Sequence, residues 1–160
     1  MCSAAPPGVA EPRGVNRTGP WHVVPGMSTV TTVARGLTAA AVLLSAVIHL
    51  DLWLLGVRTS ALGPAFLLNA VGGLVVALAV LVWRSALPLL AAMAFGAATL
   101  GAYVLSLTVG LAGVRNEWGD PLATAAAVAE AAAVLLALGA LVTEHRGRTG
   151  VRGGRRARPA

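Results

Sequence analysis

Leu37-Thr38-Ala39-Ala40-Ala41-Val42-Leu43-Leu44-Ser45-Ala46-Val47-Ile48-His49-Leu50-Asp51-Leu52-Trp53-Leu54-Leu55-Gly56-Val57 is an apolar run interrupted by one histidine and one aspartate. At about 1.5 Å of rise per residue, a helix of this length spans the roughly 30 Å hydrocarbon core of a bilayer. The rival reading is a secretory signal with Arg35 as its charged region. The run is too long for a signal core and lacks a clear small-residue cleavage site. It reads as a membrane span.

Three more such runs follow. The spans are expected at residues 37–57, 62–83, 87–111 and 121–142, within a membrane domain covering 35–143. The fourth has the sharpest start, because Asp120 is a natural N-cap and Pro121 suits the first helical position. Trp53, Trp83 and Trp118 fall near span ends, where indole rings favour the headgroup region. The fold class is therefore all-α, a membrane four-helix bundle of antiparallel up-down topology.

Composition agrees. Of 160 residues, 57% are hydrophobic and 11% charged, against about 25% charged in a soluble domain. Aromatics make up only 4%, so the apolar mass is small and aliphatic, as suits closely packed membrane helices. Residues 1–34 hold Pro6, Pro7, Pro12, Pro20 and Pro25 and read as a disordered polar leader, with Met27 as an alternative start. Cys2 is the one cysteine, which leaves no disulfide framework, CxxC pair or cysteine zinc site.

The net charge of +6 rests on twelve arginines and no lysine, and six of the arginines follow Glu144. Residues 144–160 read as a disordered Arg-rich tail lying against anionic lipid headgroups. No aromatic is interleaved with Arg146 to Arg158, so nucleic acid is not an expected partner. Arg35, Arg84 and the tail lie at one end of the spans. Arg58 stands alone at the other, where Arg115 is offset by Glu117 and Asp120. The positive-inside rule then puts both termini in the cytoplasm.

Ionisable groups inside a span are costly, about 2.5–3.5 kcal/mol for Asp, Lys or Arg at a helix centre. His49 and Glu130 are such groups, and Asn69 and Tyr103 add neutral polar ones. Counted from the outer span ends, all four lie at nearly the same depth. Thr99, Tyr103, Ser106 and Gly110 share one face of the third helix, and Ala123, Ala126, Ala127, Glu130, Ala133 and Ala137 share one face of the fourth. Asn69 lines up with Gly72, Gly73 and Val76, while Thr38, Ser45 and His49 share a side of the first helix. Faces of small residues turn toward neighbouring helices, so the four polar groups should meet inside.

The bland reading makes this cluster interhelical hydrogen-bond glue. The functional one makes His49 and Glu130 a proton-exchanging or ligand-binding pair, with Tyr103 and Asn69 beside them and Asp51 and Ser106 as weaker candidates. A protonatable ligand, a quinone headgroup or a divalent cation would suit such a pair. Metal is the poorest of these, because one histidine and one or two carboxylates are an incomplete zinc set. A haem would lack a second axial histidine within the spans. Asp51, about 200° round the helix from His49, is placed to pair with Arg58.

No nucleophile-base pair, phosphate loop or metal motif is present in the sequence, and no cofactor is expected. The stretches Ile48-His49-Leu50-Asp51-Leu52-Trp53 and Gly63-Pro64-Ala65-Phe66-Leu67-Leu68-Asn69-Ala70 resemble small four-helix integral membrane proteins of actinobacteria, over roughly residues 36–143. That group carries no established activity. The resemblance implies only the fold and a bacterial plasma-membrane address. The expectation is a non-enzymatic membrane component or accessory subunit, with a homo-oligomer or another membrane protein as company. The alternative is a ligand- or proton-handling protein built around His49 and Glu130.

Overall fold

A backbone in hydrocarbon must satisfy every N–H and C=O internally, which leaves an apolar chain of this kind the helix. The computed structural model describes residues 29–113 and 115–156, with side chains through residue 147. Four helices form: α1 Thr29–Leu55, α2 Gly63–Val82, α3 Leu87–Thr108 and α4 Pro121–Arg156. All four are long and apolar enough to cross a membrane, the fourth over Pro121–Gly147. The remainder of the leader, with Cys2 and Met27, and residues 157–160 lie outside the described residues.

Helix boundaries depart from the sequence reading for identifiable reasons. The first helix begins at Thr29 rather than Leu37, because the polar turn around Arg35 is buried and bonded, not solvated. It stops at Leu55, and Gly56 follows at φ 147, a conformation open to glycine. The third helix ends at Thr108, ahead of Gly110, Ala112 and Gly113, all at positive φ. Gly110 therefore belongs to the connection and not to the helical stripe. At the other end of the chain, α4 continues to Arg156, so most of the tail expected as disordered is helical. Glu144 anchors its start, and no proline interrupts residues 144–156.

Contacts along α1 run in reverse order along its neighbours. Arg35 meets Val80 and Trp83 of α2 while His49 meets Phe66. Against α4, Arg35 meets Glu144 and Ser45 meets Glu130. Both pairs are thus antiparallel. The α2–α3 seam is the sparser side, held where Phe95 lies over Gly73; a Cβ at Gly73 would fall 2.8 Å from Ala46 Cβ and 3.0 Å from the Phe95 ring.

The two halves of the bundle pack differently. Around the Arg35 level a tight core gathers Ala39, Val42, Ala77, Val80, Leu89, Ala92, Ala133, Ala137 and Ala140. The Arg35 guanidinium is 3% exposed and caps the end of α2. Its Nε donates to Val80 O at 3.1 Å and Nη1 to Ser85 O at 3.2 Å, with Nη2 donating to Trp83 O. Nη1 also meets Glu144 Oε1 at 2.7 Å. These are the orphan carbonyls of a helix C-terminus, matched by a cation. Large aliphatic side chains such as Leu68, Leu81 and Leu135 point outward. An interior of mostly small residues beneath a large aliphatic exterior is the arrangement a lipid solvent favours.

Candidate functional site

The opposite half of the bundle encloses a cavity of about 510 Å³, within the usual size for small-molecule pockets. It is lined by α1, α2, α3, α4 and both loops at that end. His49, Asn69, Tyr103, Ser106 and Glu130 all line it. Asp51 does not: it is exposed on the other face of α1 and forms no ion pair with Arg58. Arg58 sits in the single 3-10 turn Val57–Thr59 beyond the helix end, so the two-turn pairing expected for a continuous helix is not made.

Glu130 is 2% exposed and set by close backbone packing. A Cβ at Gly96 of α3 would fall 2.9 Å from Glu130 O, so only glycine admits α4 this near. The Ser45 hydroxyl donates to Glu130 Oε1 at 3.2 Å, while the Thr99 hydroxyl turns back to its own helix, donating to Phe95 O at 2.9 Å. His49 lies one turn beyond Ser45. Its Nδ1 is 2.8 Å from Ser45 O, and a carbonyl only accepts, so Nδ1 carries a proton. Nε2 then faces Glu130 Oε1 at 3.8 Å. That is ion-pair distance and not a hydrogen bond. The His49 ring also packs on Phe66, with centroids 5.2 Å apart.

Asn69 and Tyr103 face the cavity from α2 and α3. Neither side chain hydrogen-bonds to another described residue, unlike the interhelical linkers of the bland reading. Ser106 has a different task. Its hydroxyl donates to Tyr103 O at 2.7 Å and accepts from Asn116 Nδ2 at 3.0 Å, while Asn116 N donates to Ser106 O at 3.2 Å. It fastens the α3–α4 loop over the cavity. Asn116, Phe66 and the rim residue Asp120 were missed by the sequence reading. Phe66 was within reach of it, three residues before Asn69 on the same helical face; Asn116 lies in a loop without periodicity.

The charged lining is one-sided. Glu130 and Asp120 contribute carboxylates, His49 is the one basic side chain, and no arginine reaches the wall. Among the described residues no three His, Cys, Asp or Glu side chains are grouped as a metal site.

Four apolar helices around a polar-based cavity define a multi-pass membrane protein. No protein-family model, curated protein or solved structure matches the chain.

Proposed function

We propose that the protein is a non-enzymatic membrane component that holds a small amphiphilic ligand in this cavity, with His49 and Glu130 as its polar, proton-exchanging base. The observation that carries the reading is the convergence of four helices' polar side chains on one cavity, two of which, Asn69 and Tyr103, have no partner among the described residues. A pocket of mostly apolar wall with a few convergent polar groups is the usual form of a ligand site. The arginine distribution supports a bacterial plasma-membrane setting with both termini cytoplasmic and the cavity toward the outer face. The resemblance to small actinobacterial four-helix proteins points the same way.

A purely structural accessory subunit is the second reading, favoured by the Ser45–Glu130 bond between α1 and α4. The test is extraction of small molecules from purified wild type and Ala127→Trp, whose indole would fill the cavity. Mass spectrometry should find a compound held by wild type and depleted in the variant. Identical extracts would favour the structural reading.

A further inference from the structure

We infer that the cavity is selective for a lipophilic monovalent organic cation, taken up in exchange for a proton held at the His49 and Glu130 pair. The inference rests on the ligand-binding reading above and assigns the ligand's charge class.

Three features carry it. The first is sign. The chain has twice as many basic as acidic residues, twelve against six, yet two of its six acids line this cavity and no arginine does. An anion would meet Glu130 at the floor and Asp120 at the mouth. The second is the floor itself. Glu130 is buried with its Oε1 turned toward His49 and Ser45, and no arginine stands in the wall, so its charge is matched by a proton at the pair or by a ligand. The third is the wall, where Phe66 and Tyr103 offer aromatic faces of the kind that attract organic cations. The apolar residues between them suit a hydrocarbon body.

The titratable lining groups are His49 from α1, Tyr103 from α3, Glu130 from α4 and Asp120 just before α4; α2 contributes Phe66 and Asn69, which do not titrate. The exchange balances as protonated pair plus cation giving pair–cation complex plus one proton. No redox or covalent partner is required.

The test uses three rigid aryl probes of similar shape: tetraphenylphosphonium, tetraphenylborate and neutral triphenylphosphine oxide. Wild type, Glu130→Gln and Ala127→Trp are placed in phosphatidylcholine nanodiscs, and equilibrium dialysis is corrected with empty discs. Wild type should bind tetraphenylphosphonium saturably and release about one proton per cation in weak buffer. Glu130→Gln should bind about 30-fold or more weakly, the scale for removing one partner of a buried charge pair. Ala127→Trp should not bind. Should Glu130→Gln fail to fold, the proton count on wild type decides alone, since binding without proton release overturns the exchange. If tetraphenylborate or the neutral oxide saturates wild type as well as the cation does, and Ala127→Trp abolishes it, the cavity is a ligand site and the charge assignment fails. If no probe saturates wild type, or Ala127→Trp binds like wild type, the ligand-site reading fails with it.

Discussion

Glu130 and Arg35 are both buried charged residues, but their surroundings assign them different work. Arg35 is matched on every side by carbonyls and by Glu144. Removing one partner of such a pair strands the other, at a cost of about 3–5 kcal/mol. Arg35→Leu should therefore lower the unfolding free energy by about that amount, measured by thermal or denaturant unfolding in detergent. The Glu130 carboxyl has one hydrogen bond, from the Ser45 hydroxyl, and the His49 ring at ion-pair distance. Glu130→Gln keeps its shape and its Ser45 contact, so the unfolding midpoint should stay the same or rise, as often happens when a functional group is removed. A fall beyond about 3 °C, roughly 1 kcal/mol for a chain of this size, would assign the carboxyl to structure.

Helix ends and helix contacts explain how much could be read in advance. The N-cap of α4 was legible because Asp120-Pro121 is a local signal: Asp120 Oδ1 accepts from Leu122 N at 2.9 Å and Ala123 N at 3.1 Å. Asp120→Ala should cost about 1 kcal/mol, seen as a lowered midpoint. The inward faces were legible from helical periodicity, and Thr38, Ser45, Gly73, Ala126, Ala133 and Ala137 are indeed buried. Arg35 was not. Its charge read as an orientation signal, whereas its role depends on the ends of α2 and α4, which are distant in sequence. Ser106 was named as a weaker candidate, but its task of fastening the loop was hidden for the same reason, since its partner Asn116 sits in a loop. Gly96 shows what close approach between helices adds. Gly96→Ala should press its methyl onto the Glu130 carbonyl and Val134, costing about 1–3 kcal/mol as overpacking does and weakening ligand binding more than a distant helix substitution does.

At the scale of the whole molecule, the bundle is tight at the arginine end and hollow at the other. The convergence of His49, Asn69, Tyr103 and Glu130 was legible because depth and face can both be counted along a helix. The hollow itself was not, because periodicity assigns faces to helices but not the spacing between them. The proposed orientation, with both termini cytoplasmic, predicts that a green fluorescent protein fused after Ala160 should fluoresce and that an alkaline phosphatase fused there should stay inactive. The reverse pattern would turn the cavity toward the cytoplasm.

The Arg35–Glu144 bond joins residues 109 positions apart, and that distance sets an order of events during synthesis. When α1 and α2 have entered the bilayer, the guanidinium can already reach the α2 carbonyls, but its countercharge is still inside the ribosome. Only the last helix neutralises it. A nascent chain that stalls before residue 144 therefore lacks the carboxylate that meets Arg35 in the finished bundle, and holds its guanidinium by carbonyls alone.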